Sequence, residues 1–200
     1  MAQSQLGLYN LALQHLGMKK ITSISGTDPS TVACNNFYET CLNDAYSEHA
    51  WPFATAQATV NASSVTAPLG WTYCYDYPTE NCAKVWLVFN EATYDKPDEQ
   101  DFNTFYDPTT GTRIIASNLE EAYIEYTHIV SDPTLWDTKF YLAMSYKLAA
   151  SMAHALTGDA QKGLALMQLY NGIIHEAKRV GSSEQRKKPV FSSAYQNSRG

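Results

Sequence analysis

The sequence predicts an α+β chain that is mainly α: a four-helix bundle with an inserted small antiparallel β domain and an extended C-terminal arm. Three observations predict it. Apolar residues recur every three or four positions in residues 3–50 and again in 132–180. Between them, in residues 53–130, the period drops to two and aromatic and β-branched residues take over. Beyond Gly181 no period remains. The expected division is 1–52 with 131–181 for the bundle, 53–130 for the inserted β domain, and 182–200 for a flexible basic arm.

Residues 3–17 place Leu6, Tyr9, Leu13 and Leu16 on one helical face, and Gly17 is a natural stop. Lys19 and Lys20 follow, where a helix end favours cations, and read as a solvated turn. Ile21 and Ile24 pin the connection. Asp28 is the expected cap of the second helix, with Pro29 at its first position, where a missing N–H costs nothing. Cys34, Phe37, Cys41 and Ala45 then share one line, with Tyr38, Leu42 and Tyr46 beside it, a stripe wide enough to bury against other helices. The helix cannot pass Trp51-Pro52. It should therefore be roughly 20 residues and about 30 Å long. Trp51, Pro52 and Phe53 form the expected hinge between helical and β parts.

In the β part, residues 55–60 alternate, 71–77 are aromatic up to Pro78, and 82–89 (C-A-K-V-W-L-V-F) are strongly strand-like. Residues 103–107 and 112–117 flank D-P-T-T-G, a hairpin loop. Residues 122–130 alternate cleanly, with Tyr123, Glu125, Thr127 and Ile129 opposed to Ile124, Tyr126, His128 and Val130. The loop 91–101 holds five acids (Glu91, Asp95, Asp98, Glu99 and Asp101) and one lysine. It reads either as a solvated loop or as an anion-repelling surface facing DNA or a partner.

Asp132-Pro133 repeats the start at Asp28-Pro29 and predicts a helix to about Thr157, with Trp136, Phe140, Ala143, Met144 and Leu148 inward. Ala149, Ala150 and Ala153 permit close helix contact. Gly158 ends it and Asp159 caps the last helix, expected to bury Leu164, Met167, Tyr170 or Leu166, Ile174 and Ala177 and to stop near Gly181. One glycine between two long helices gives an antiparallel hairpin. The residues after Gly181 are expected to be extended or disordered in isolation.

Composition narrows the class. Hydrophobic residues make up 44% of the chain and aromatics 12%, which describes a folded domain. Fourteen tyrosines and four tryptophans suit interfaces. No apolar run approaches the ~20 residues of a bilayer span, and no basic-then-apolar leader opens the chain, so the cytosol is the default. The net charge is −6, unevenly spread: 8 basic and 19 acidic residues up to Ala177, then 6 basic and 1 acidic. Such an acidic body argues against a groove gripping nucleic acid and suits a basic tail that docks on an acidic neighbour, or a body that lets DNA pass. Cys34, Cys41, Cys74 and Cys82 lack C-x-x-C spacing and read as buried free thiols rather than a disulfide or a zinc site.

The search for catalytic chemistry returns little. Glu48-His49, with Asp44 one turn earlier, offers a metal-binding beginning but no further converging ligands. His15, His154 and His175 stand singly on helices and His128 on a strand. Glu120 and Glu121 would face opposite ways on a strand and make a poor acid–base couple. Met144, Met152 and Met167 read as core filler. No phosphate loop, nucleophile elbow, zinc motif or calcium loop occurs. Catalytic residues, cofactor and metal are all expected to be none.

The order of short motifs is more informative. L-x-x-L-G ends the first helix (Leu13 to Gly17), I-T-S-I follows at Ile21, and the second helix closes on H-A-W-P-F-A (His49 to Ala54). Y-D-Y-P and C-A-K-V come next (Tyr75 to Val85), then Y-I-E-Y-T (Tyr123 to Thr127). D-P-T-L-W-D-T-K-F, the alanine-rich helix and L-T-G-D complete the series (Asp132 to Asp159). This succession, spanning about residues 6–180, resembles the head-to-tail adaptors of short-tailed bacteriophages, the tail tubular protein A or gatekeeper family.

The resemblance implies a non-enzymatic virion protein at the head–tail interface, made in the host cytoplasm. It implies a helical bundle with an inserted β domain, assembled as a ring of about twelve copies. Its implied partners are other copies of itself, the portal protein, a nozzle like tail tubular protein B, and DNA passing during ejection without sequence-specific contact. On this reading Arg186, Lys187, Lys188, Phe191 and Tyr195 form a portal- or neighbour-binding arm that orders on docking. The acidic loop would then face nozzle or lumen. The competing readings are a head-completion or connector protein of a long-tailed phage or prophage, a metal-dependent hydrolase on a helical bundle, and a regulatory DNA-binding protein. The β insertion, the scattered histidines and the lack of a basic recognition helix count against these in turn.

Overall fold

The computed structural model describes residues 3–96 and 100–184. Within them the chain is α+β. Its helices are α1 (Gln5–Leu16), α2 (Pro29–Ser47), α3 (Thr138–Thr157) and α4 (Ala160–Glu184). Between α2 and α3 come β1 (Thr55–Thr59), β2 (Tyr73–Asp76), β3 (Cys82–Phe89), β4 (Phe102–Asp107), β5 (Thr112–Ser117) and β6 (Tyr123–His128). They form two three-stranded antiparallel sheets, ordered β1-β6-β3 and β2-β5-β4.

Side chains set the helix ends. The Gly7 amide donates to Ser4 Oγ at 3.0 Å at the start of α1. At the start of α2 the Thr31 amide and hydroxyl donate to the two Asp28 oxygens at 3.1 and 2.6 Å. The Lys162 amide donates to Asp159 Oδ1 at 3.0 Å at the head of α4. The repeated Asp-Pro signal misleads at Asp132. Its carboxylate accepts from the Thr134 amide at 2.9 Å and closes only a 3-10 turn, Pro133–Leu135. Trp136 is then extended, its indole N–H donating to the Val130 carbonyl at 2.8 Å, so α3 begins at Thr138 after Asp137.

Helix α3 is the hub, packing against α1, α2 and α4. Phe140, Ala143, Met144, Leu148, Ala149, Met152 and Ala153 are all buried in the helical core. Burying each large apolar side chain is worth about 1.5–3 kcal/mol, more than any surface contact supplies. Helix α4 brings Leu166, Tyr170, Ile174 and Ala177 to this core. Leu164, expected inside, is 60% exposed, because the buried stripe starts at Leu166 and Leu164 lies roughly 200° around the helix from it. The helix also runs past Gly181, since glycine there meets no steric barrier and is buried against Pro52.

A second apolar cluster, which includes Tyr75, Val85, Val88, Ile115 and Ile124, lies between the sheets. The chain passes from one sheet to the other at 60–63: the Val60 amide donates to Ala122, Asp76 to the Asn61 carbonyl, and Ser63 to Cys74. Strand β3 carries register shifts between Cys82 and Lys84 and between Val85 and Leu87. Strand β6 alternates as expected: Ile124 enters the cluster, while Thr127 on the other face accepts from the Trp86 indole at 2.7 Å and donates to the His49 carbonyl at 3.3 Å. The D-P-T-T-G hairpin forms between β4 and β5, with the Thr110 amide donating to Asp107 at 2.9 Å and Gly111 at φ 71°. The aromatic segment 71–77 forms strand only over Tyr73–Asp76, and Glu121 sits at φ 54° in the turn before β6 rather than on the strand.

Candidate functional site

The carboxyl end of α2 is where helices, sheets and the approach to the C-terminus meet. The helix ends at Ser47, before the proline. The Trp51 indole N–H donates to the Ala45 carbonyl at 3.0 Å, and the Ser47 hydroxyl donates to Asp44 at 2.8 Å, so side chains satisfy two terminal carbonyls. Trp51 is fully buried, its ring 4.9 Å from Phe140 and 6.2 Å from Phe53. Pro52 opens a short 3-10 turn that leads into β1. A Cβ at Gly181 would come within 3.1 Å of Pro52 Cδ, so α4 crosses this corner at van der Waals contact.

A charged knot ties the same place. Lys147, only 5% exposed on α3, donates to Glu48 Oε1 at 2.9 Å and the Tyr170 hydroxyl at 3.0 Å, and pairs with Asp44 at 2.6 Å. Lys178 reaches Glu48 Oε2 at 2.8 Å, and the Tyr170 hydroxyl donates to Glu48 Oε1. Burial by itself would raise the Glu48 pKa, but hydrogen bonds from Lys178, Tyr170 and Lys147 together hold it below the ordinary value. The Tyr170 hydroxyl is pushed up by burial and by Glu48. Two cations meet two carboxylates, so the knot is neutral and welds α2, α3 and α4.

His49 packs on the Trp51 corner. Its ring meets Trp51 edge-on at 5.1 Å, and burial lowers its pKa. His15 stacks on Tyr146 at 4.0 Å with Nε2 3.1 Å from Ser145 Oγ, and burial likewise lowers its pKa. His154 and His175 are exposed, and His128 is half-buried. Among the described residues no group of three or more His, Cys, Asp or Glu could hold a metal ion. All four cysteines are free; burial pushes the Cys34 thiol up to about 12. Within the described residues no helix is long and apolar enough to cross a membrane.

The outer face of the first sheet carries a cleft of about 340 Å³ lined by Gln57, Phe89, Asn90, Glu91, Tyr94 and Tyr123. Phe89 and Tyr123 stack at 5.9 Å, and Tyr94 meets Phe89 edge-on at 5.8 Å. The Gln57 amide donates to Glu125 Oε2 at 3.0 Å beside it. Of the expected acidic loop, Glu91, Asp95 and Asp101 are exposed, and Glu91 lies on the cleft. Asp98 and Glu99 lie outside the described residues, as do the expected arm residues Arg186, Lys187, Lys188, Phe191 and Tyr195.

No family model matches the chain, and no curated protein does. The one sequence signal of the knot is Lys147, which interrupts the apolar stripe Phe140, Ala143, Met144 and Leu148. A lysine on a buried face signals a carboxylate partner within reach.

Proposed function

We propose that the chain is a virion structural protein, a head-to-tail adaptor of the tail tubular protein A or gatekeeper kind. In this reading it forms a ring between portal and nozzle through which DNA passes. The four helices act as one bundle built from 1–52 and 131–184, with 53–130 as its inserted module and the residues beyond Glu184 as its arm. Its role is mechanical rather than catalytic, and its site of action is the head–tail interface.

The observation that carries this is the corner itself. The Glu48 knot and the Gly181–Pro52 contact fix the end of α4 to the junction of helices and sheets. A basic segment leaving so firm an anchor suits a subunit that must transmit load while holding a neighbour. The acidic body supports the same reading, because attraction to phosphate would stall moving DNA whereas like charge lets it slide.

Light scattering and electron microscopy of the full chain, alone and mixed with portal protein, test it. A ring or a portal complex is expected. A chain that stays monomeric beside portal overturns the proposal. Removal of residues 185–200 should leave a folded protein that no longer attaches, and normal attachment would refute the arm.

A further inference from the structure

The cleft on β1, β3 and β6 has walls and a charge that call for a particular occupant. Phe89, Tyr94 and Tyr123 give it three aromatic rings, and Glu91 and the neighbouring Glu125 give it negative charge. Among the described residues lining it none is cationic. Aromatic faces beside carboxylates favour guanidinium and ammonium groups, and ring edges favour another ring.

We propose that the basic C-terminal segment of this same chain lies in the cleft, with Arg186, Lys187 and Lys188 against Glu125 at its near edge and Phe191 against the aromatic wall beyond. Charge complementarity is one argument: this segment carries three consecutive cations, whereas the body up to Ala177 has a large acidic excess. Reach is the other. Gly181 touches Pro52, and a 3-10 turn plus two strand steps place Gln57 within about 15 Å of Pro52. Four residues, 185–188, span at most about 14 Å and seven, 185–191, at most about 24 Å, which lets the cations reach the near edge at Gln57 and Glu125 and Phe191 the rings two strand steps further on. The contact would mask the arm until a tighter site competes for it. It stands apart from the adaptor reading, since it concerns the lone chain.

Zero-length carbodiimide cross-linking of the full chain, with light and heavy isotope-labelled copies mixed at low concentration, tests the proposal by peptide mapping. Links from Lys187 and Lys188 to Glu125 are expected within single chains, several-fold more frequent than links to the exposed Glu39 and Glu80. Phe191→Ala, which leaves every charge in place, should remove that preference, as should about 1 M salt. Links spread evenly over exposed acids, or indifference to Phe191→Ala, would overturn the proposal. So would links mainly between light and heavy chains, which would assign the cleft to a second copy.

Discussion

The Tyr170 hydroxyl on α4 and the Lys147 ammonium on α3 converge on one atom, Glu48 Oε1 at the end of α2. Three helices thus depend on a single carboxylate. Truncating Glu48→Ala leaves Lys147 buried with Asp44 as its remaining carboxylate, and breaking such a pair costs about 3–5 kcal/mol. Replacing both members by neutral residues of similar size, Glu48→Gln with Lys147→Met, should cost clearly less. Urea unfolding of the single and the double variant reads the difference. An equal loss in both would mean that the knot does not act as a coupled unit.

Acid should weaken the fold in two stages. His15 is held neutral by burial, so its contribution is complete above its ordinary value of 6.5 and fades as pH falls through its lowered folded pKa. Glu48 is depressed below 4.5, so its contribution is complete above 4.5 and is lost as pH falls through the lower folded value. His49, its pKa lowered by burial as well, adds to the first stage, so His15→Gln should reduce that stage and Glu48→Gln the second. Thermal melts across pH 3–8 check both, and an unchanged slope in either variant removes that residue from the account.

Elements with a strong local period were legible from the chain alone. Asp28-Pro29, Gly17 and Gly158 mark helix ends because caps and left-handed stops are local chemistry. Asp132-Pro133 caps only a short turn, because Trp136 turns extended and its indole bonds the Val130 carbonyl six residues back. The β residues were recognisable by alternation, but their separation into two sheets depends on pairings such as Asp76 with Asn61, which local pattern does not encode. The cleft was half visible: Glu91 stood out as charge, while Phe89 and Tyr123 meet only through the pairing of β3 with β6.

Two glycines on α4 should respond differently to alanine. At Gly172 an added Cβ meets nothing within 4 Å, so Gly172→Ala should gain most of the ~1 kcal/mol helix preference. At Gly163 it would lie 3.2 Å from the Ala150 carbonyl oxygen and 3.3 Å from Ala153 Cβ, where α3 and α4 approach closely. Backbone cannot yield as a side-chain tip can, so Gly163→Ala should gain nothing and Gly163→Leu should lose about 1–3 kcal/mol. Equal stabilisation of both alanine variants would contradict this close approach.

The Trp51 corner yields the last expectation. Trp51→Phe keeps a ring near Phe140 but removes the donor to the Ala45 carbonyl, leaving that buried acceptor with only the long 3.4 Å contact from the Glu48 amide. An under-satisfied buried group costs about 1–3 kcal/mol. The loss should not stay local, because Pro52 next door supports Gly181 and the His49 carbonyl supports Thr127. Amide exchange should therefore quicken in the last turns of both α2 and α4, and around Thr127 on β6. Leu8→Ala on α1, away from the corner, controls for general destabilisation. If Trp51→Phe speeds exchange only in proportion to that control, the corner is ordinary core and does not couple helices to sheets.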